Sequence, residues 1–256
     1  PKTPALPEWT AVCFWRYNPI ARPPLHTVAM LSISVHSNAR RKVRCLTDGG
    51  VAVPHAYADM TTIHLIPPKL TARYEVHEWR NAAAVVQSAH PKEWGDIEAA
   101  LMNFKLCRSH IETGGGRKSN VSAMLDSFLY GRGWKETAFD TKIVVDGEER
   151  SSPTHSVDCF KNGVAVDVEW NNKDPFYDRD LNNFRLLFDL RVIDVGIIIT
   201  RCDDLQDIFD SLGRGSSYGA STTHMSKLLP RIEGGGGGGC PILAFGIRKV
   251  LYDSSK

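Results

Sequence analysis

The chain has 256 residues, which is enough to bury a full core as one large domain, alone or with an appendage. Its apolar content of 42% and charged content of 23% are those of an ordinary globular protein. No apolar run reaches the roughly 18 residues of a membrane span, and the first residues lack the layout of a signal peptide. Six scattered cysteines without a C-x-x-C pair disfavour a zinc knuckle or a disulfide framework and indicate the reducing cytoplasm.

Residues 1–70 differ in composition from the rest of the chain. They hold nine of the fourteen prolines, and eight Lys or Arg against three acidic residues, whereas the whole chain has a net charge of only +2. The basic cluster Arg40–Arg44 is consistent with a DNA-binding arm. The absence of any sustained hydrophobic period favours a poorly ordered extension instead. We therefore predict an N-terminal extension over residues 1–70 and one folded domain over residues 71–256.

Helical periodicity begins after this extension. Apolar residues in Glu93–Cys107 recur at roughly helical spacing, and Thr113–Gly116 then breaks the chain. Ser119 is a candidate N-cap for a second helix, which Gly131–Gly133 ends. The apolar positions that define the second helix are Val121, Met124, Leu125, Phe128 and Leu129.

Strand signals dominate the next part of the chain. Turn dipeptides follow the first two of three strand-like runs, and a capped helix is predicted to begin near Asp178. A continuous apolar strand, a glycine loop at Gly234–Gly239 and a last strand complete the pattern. The strands are predicted at Thr141–Val145, Ser156–Phe160, Val164–Glu169, Val192–Thr200 and Pro241–Ile247. This order predicts an α/β fold whose mixed β-sheet is flanked by helices.

The turn Asn162-Gly163 fixes the pairing of the second and third predicted strands. With a two-residue turn, opposed residues have numbers that add to 325, so Asp158 faces Asp167. Alternate residues of a strand share a face, which places Asp158, Asp167 and Glu169 on one side. Val164, Val166 and Val168 then point to the other side, toward a core.

Three carboxylates this close together repel one another unless a proton or a cation neutralises them. Oxygen ligands with open positions suit Mg²⁺, which can activate water and stabilise charge on a phosphodiester. The trio also fits a solvated acidic face. A third interpretation is a glycoside hydrolase, but its two carboxylates flank a sugar across a cleft of about 5–9.5 Å and do not crowd one hairpin face.

Several blocks of sequence resemble the BglII/BstYI group of type II restriction endonucleases, in the PD-(D/E)XK nuclease superfamily. The resemblance covers roughly residues 76–250 and rests on Ser156–Phe160, Val166–Asp174, Phe176–Leu181, Phe184-Arg185, Ile193–Gly196, Ile199–Arg201, Tyr218–Met225 and Gly239–Pro241. It implies a restriction-endonuclease-like core and the nuclease of a restriction–modification system. It also implies hydrolysis of double-stranded DNA with Mg²⁺, which leaves 5′-phosphates.

The resemblance assigns roles to the hairpin. Asp158 and Asp167 would be the metal ligands, and the backbone carbonyl of Val168 would complete the coordination. Asp167 stands where the superfamily more often has Glu. Glu169 stands in the slot that is usually Lys, a departure that the BglII-like branch shares. A carboxylate there can accept a proton, directly or through water, or bind metal itself.

The resemblance also implies two DNA-contacting segments. Asn171, Asn172 and Lys173 would border the major groove, where Asn can read adenine. Ser221, Thr222, Thr223 and His224 would form a recognition loop or, alternatively, an ordinary helix N-cap. Arg179 would hold a phosphate or pair with neighbouring aspartates. A homodimer that cuts a palindrome with a GATC-like core is expected by analogy. The remaining alternative is a decayed nuclease that binds DNA without cutting it.

Overall fold

A computed structural model of the chain describes residues 61–113 and 118–255. The predictions for Arg40–Arg44 and for Gly114–Gly116 lie outside the described residues. Ile66 and Leu70 are both buried in the hydrophobic core. The domain boundary at residue 70 stays a prediction. None of the helices in the described ranges is long and apolar enough to cross a membrane.

The strands, in chain order, are β1 (Tyr74–Trp79), β2 (Leu106–Cys107), β3 (Lys135–Thr137), β4 (Asp140–Val145), β5 (Glu148–Pro153), β6 (Val157–Lys161), β7 (Val164–Val168), β8 (Val195–Arg201), β9 (Ile242–Ile247) and β10 (Tyr252–Asp253). Six of them form one sheet in the order β1-β9-β8-β7-β6-β3. Strands β7, β8 and β9 run parallel, and the outer pairings are antiparallel. The predicted mixed sheet is confirmed.

The helices are α1 (Pro68–Thr71), α2 (Ala82–Ala89), α3 (Pro91–Asn103), α4 (Arg108–Glu112), α5 (Asn120–Tyr130), α6 (Phe176–Asp189), α7 (Gln206–Ser211) and α8 (Met225–Glu233). They pack on both faces of the sheet, because its central strands carry apolar residues on both sides. In β8, for example, Ile197 and Ile199 belong to the core shared with α2, α3 and α5, whereas Ile198 belongs to the core shared with α6 and α8. The sheet is thus the middle layer of three.

The hairpin register follows the arithmetic of its turn. Cys159 pairs with Val166, and Lys161 pairs with Val164, so the number pairs add to 325 as predicted. Asn162 and Gly163 both have positive φ angles, 44° and 82°, which is the backbone of a type I′ turn. The predicted turn and its register are confirmed as far as Cys159–Val166, whereas the predicted pair Asp158–Asp167 lies beyond the last paired residues.

Other predictions hold in part. The Ser119 hydroxyl accepts a hydrogen bond from the Ser122 amide at 3.0 Å, so the predicted cap of α5 is confirmed. The capped helix predicted near Asp178 was wrong in detail: α6 begins at Phe176, and its N-cap, Pro175, has no side-chain acceptor. Strands β1, β2, β3, β5 and β10 were missed; the residues of β3 and β5 are mostly exposed and polar and carry no clear alternation.

Candidate active site

The acidic trio lies at the carboxyl end of β7, which β6 and β8 flank in the sheet. Asp158 is half-buried on β6, whereas Asp167 and Glu169 are only 4% and 3% exposed. The Asp158 amide donates to Asp167 Oδ1 at 2.9 Å, and the Val168 amide donates to Asp158 Oδ2 at 3.0 Å. These cross-strand hydrogen bonds, in which the carboxylates accept from backbone amides, hold the two aspartates side by side just beyond the last ladder pair, Cys159–Val166.

Glu169 has a different environment, made by residues that follow it in the chain. Asn172 Nδ2 donates to Glu169 Oε2 at 2.6 Å, and Arg179 Nη2 lies 3.3 Å from Oε1. The Glu169 amide continues the sheet by donating to the Ile199 carbonyl at 2.9 Å. Both carboxylate oxygens of Glu169 are therefore held by side chains predicted to contact DNA.

A fourth carboxylate, Asp180 on α6, joins the trio and was missed as a site residue. It is 2% exposed, and its Oδ1 accepts hydrogen bonds from Nε and Nη2 of Arg179 at 2.9 and 2.8 Å. The sequence did carry a signal for it. Asp180 lies three residues after Tyr177 and four before Phe184, both fully buried, so a charge occupies the apolar face of the helix.

Burial raises the pKa of every acidic group in this cluster, and repulsion from neighbouring carboxylates adds to the effect at Asp158, Asp167 and Glu169. Burial raises the pKa of Asp158 to about 6 against the hydrogen bond from the Val168 amide. Burial and then the charge of Asp180 raise the pKa of Glu169 to about 10 and that of Asp167 well above its usual range. Burial also raises the pKa of Asp180, despite the nearby guanidinium of Arg179. The site therefore favours the binding of positive charge.

Helix α5 supports the hairpin from the other face with polar residues spaced four apart. Ser122 Oγ donates to the Val168 carbonyl at 3.3 Å, and the Tyr130 hydroxyl donates to the Asp158 carbonyl at 2.9 Å. Between them, the fully buried Asp126 accepts a hydrogen bond from Cys159 Sγ and forms an ion pair with Lys118. Burial raises the pKa of Asp126 even so. These polar residues were not predicted from the sequence, although their four-residue spacing marks one face of a helix.

The two segments predicted to contact DNA pair with each other beside Glu169. The Thr223 amide donates to the Asn172 carbonyl at 2.8 Å, and the Asn172 amide donates to Thr223 Oγ1 at 3.2 Å. Lys173 and Thr222 form an antiparallel bridge. We call residues 171–174 and 221–224 the paired rim. Lys173 and Ser221 are its exposed side chains, and Asn171 adopts a positive φ of 59° with a buried Oδ1 that has no partner in the described structure.

The remaining side chains of the paired rim are engaged inside the protein. Thr222 Oγ1 accepts from Arg201 Nη2 at 3.1 Å, and the same nitrogen donates to the Tyr218 carbonyl. His224 Nδ1 lies 2.7 Å from Asp203 Oδ1. Helix α8 does begin just after His224, as the alternative interpretation required, but the His224 side chain does not cap it. Asp203 accepts from the Ser226 amide in its place, at 3.1 Å.

The residues present are chemically suited to an oxygen-preferring divalent cation. Four carboxylates converge, and one of them has an oxygen, Asp180 Oδ2, that is buried without a hydrogen-bond donor in the described structure. In the conformation described for residues 61–113 and 118–255, no group of three His, Cys, Asp or Glu side chains is already arranged around one ion-sized point. Asp158 and Asp167 each have one oxygen bound to a backbone amide.

Comparison with known proteins identifies the family. The family described as Restriction endonuclease BglII/BglIII matches residues 74–247, which is more than half of the chain. No curated protein sequence matches it. The matched range begins at the first residue of β1 and ends at the last residue of β9, so it contains the whole six-stranded sheet and the acidic cluster. The resemblance inferred from the sequence blocks is confirmed, and with it an enzyme that hydrolyses DNA and not glycosides. The chain belongs to the BglII/BglIII restriction endonuclease family and is a type II site-specific DNA endonuclease.

Proposed function

We propose that the protein cuts both strands of a short palindromic DNA site, with a GATC-like core, by Mg²⁺-dependent hydrolysis that leaves 5′-phosphates. The observation that carries this proposal is the acidic cluster at the carboxyl end of β7, where four carboxylates converge and two of them bind one cationic side chain, Arg179. In open α/β sheets, ligands bind beyond the carboxyl ends of the strands. The paired rim stands at this edge and offers a surface for DNA.

Asp158, Asp167 and the Val168 carbonyl would hold the metal ion. Bound Mg²⁺ would lower the pKa of a water ligand and stabilise charge on the phosphodiester. Glu169 would accept the proton of the attacking water once the charge of the metal ion lowers its raised pKa, while Asn172 and Arg179 hold its two oxygens. These contacts support the role of proton acceptor over that of metal ligand.

The paired rim would contact the DNA. Lys173 and Ser221 are exposed and suited to phosphates and base edges, and Asn171 and Asn172 lie half-buried beside them. Asn171 would offer its side-chain NH₂ group to a base in the major groove, and Asn172, whose Nδ2 is bound to Glu169, would offer its Oδ1. Thr222, Thr223 and His224 would contribute mainly through the backbone, since their side chains are buried. Arg179 would contact a phosphate from beside Glu169. A palindromic site calls for two copies of the chain, so we propose a homodimer that acts on DNA in the cytoplasm.

The test is cleavage of plasmid DNA by purified protein with Mg²⁺, with Asp158→Ala as the variant. The matched control is Asp194→Asn, which removes an exposed carboxylate at the opposite end of β8, where Asp194 pairs with His90. We expect discrete fragments from the wild type and the control, ligation of these fragments by a DNA ligase that needs 5′-phosphates, and no cleavage in EDTA. The Asp158→Ala rate should fall by about 10³-fold or more, because a catalytic metal supplies several kcal/mol. Equal cutting by wild type and Asp158→Ala would refute the proposal.

A further inference from the structure

Asp180 has a side chain that the proposed reaction does not use. Its Oδ1 binds the Nε–Nη2 edge of Arg179 with two hydrogen bonds of 2.9 and 2.8 Å. Its Oδ2 is buried and receives no hydrogen bond from an amide, guanidinium or hydroxyl group of the described residues. The Glu169 carboxyl lies within hydrogen-bonding reach of Asp180. A buried carboxylate in this position needs a reason, because ionised groups in an apolar interior are costly.

The contacts of Arg179 supply that reason. Its side chain is 32% exposed, so the guanidinium has access to water and could turn outward. A carboxylate that binds a guanidinium along one edge fixes its plane as well as its position. The Phe176 ring, 4.2 Å from Arg179 Cζ, restrains the same group from the preceding turn of α6. Together these contacts direct Nη2 to Glu169, 3.3 Å away.

We propose that Asp180 is a positioning residue of the nuclease, which fixes Arg179 against Glu169. This inference rests on the proposed function, because it concerns how Glu169 is held for hydrolysis. Arg179 is the one Lys or Arg of the described residues that forms an ion pair with a carboxylate of this cluster. Asp180 acts mainly through this cation, and its own carboxyl group reaches Glu169 but not the DNA. Loss of its charge leaves Arg179 free to point to solvent and leaves Glu169 held by Asn172 alone.

The test compares Asp180→Asn with Asp178→Asn. Both changes keep the side-chain size on α6, but Asp178 is 60% exposed and pairs with Arg231, not with Arg179. In metal-free protein, the NMR signal of the Arg179 Nε–H should exchange slowly with water in the wild type and in Asp178→Asn, and rapidly in Asp180→Asn. With Mg²⁺ and DNA, Asp180→Asn should lower kcat by about 10- to 100-fold, the usual range for a residue that orients an active group, with KM changed by less than about 3-fold.

A double variant separates positioning from a general loss of structure. Because Asp180 acts through Arg179, Arg179→Met with Asp180→Asn should be no slower than Arg179→Met alone, within about 3-fold. The proposal would be overturned if the effects of Arg179→Met and Asp180→Asn on kcat multiply in the double variant. A wild-type kcat or an unchanged Arg179 Nε–H signal in Asp180→Asn would overturn it as well. If Asp180→Asn does not fold, Arg179→Lys gives the same test, since lysine keeps the charge but lacks the bidentate edge. A wild-type cleavage rate in Arg179→Lys would overturn the proposal. A wild-type protein that cuts no DNA would refute the proposed function, and the NMR measurement would still test the Asp180–Arg179 contact.

Discussion

Gly196 on β8 gives a sharp test of how α6, which carries Arg179 and Asp180, is fixed to the sheet. A Cβ atom at position 196 would lie 2.3 Å from Cδ2 and 2.7 Å from Cε2 of Phe184, which is fully buried. Carbon atoms normally approach to about 3.5 Å, so the ring would have to retreat by about 1.2 Å. Strand β8 cannot yield easily, because β7 and β9 pair with it on both sides.

We therefore expect Gly196→Ala to destabilise the protein by about 1–3 kcal/mol, the usual cost of overpacking a filled core. Urea unfolding of the metal-free protein measures this free energy. The control is Gly95→Ala, at an exposed position of α3 where an added methyl group would meet nothing within 4 Å, which should stabilise the helix by about 0.5–1 kcal/mol. Phe184→Leu should remove part of the Gly196→Ala penalty in the double variant. Similar stabilities for Gly196→Ala and Gly95→Ala would refute the close packing of α6 on β8.

Three further predictions concern buried or half-buried polar groups. Tyr177→Phe should lower the free energy of unfolding in urea by about 1–2 kcal/mol. The substitution leaves Thr200 Oγ1, which lies 2.6 Å from the Tyr177 hydroxyl, without its buried partner. A change below about 0.3 kcal/mol, roughly the error of such a comparison, would contradict this prediction. Hydrogen bonds from residues 61, 62 and 83 lower the pKa of Glu78, although burial opposes this shift. The Glu78 carboxylate therefore stabilises the folded protein above its unfolded pKa, and this stabilisation is lost as the pH falls. Glu78→Gln should cost about 1 kcal/mol at pH 7 and little at pH 3, and an equal cost at both would contradict the shift. Burial raises the pKa of Asp167, so the folded state binds the proton of this carboxyl more tightly and loses stability as the pH rises above the unfolded pKa. At pH 8 and without metal, Asp167→Asn should therefore be more stable than the wild type, but added Mg²⁺ should raise its melting temperature less. A less stable metal-free variant, or a larger Mg²⁺ effect on the variant, would refute the reasoning.

Local signals in the sequence account for much of the β6–β7 hairpin. The Asn162-Gly163 turn fixed the register as far as Cys159–Val166, and the period of two placed Asp167 and Glu169 on one face at the end of β7, because both depend on residues close together in the chain. The same reasoning identified Ser119 as the cap of α5 and β8 as a strand buried on both faces. The exposed strands β3 and β5 carried no such signal. Their pairing depends on neighbours rather than on their own composition.

What surrounds the hairpin depends on contacts between distant parts of the chain. Asn172 and Thr223 are 51 positions apart, and only the packed sheet brings their segments together as one paired rim. The sequence by itself determined that Asp158, Asp167 and Glu169 come together at the open end of the β6–β7 hairpin, since the turn sets which strand ends meet. The tertiary structure alone decided that Asp180 joins them and that Arg179 turns inward, because that arrangement follows from the packing of α6 against β8, which no local period encodes.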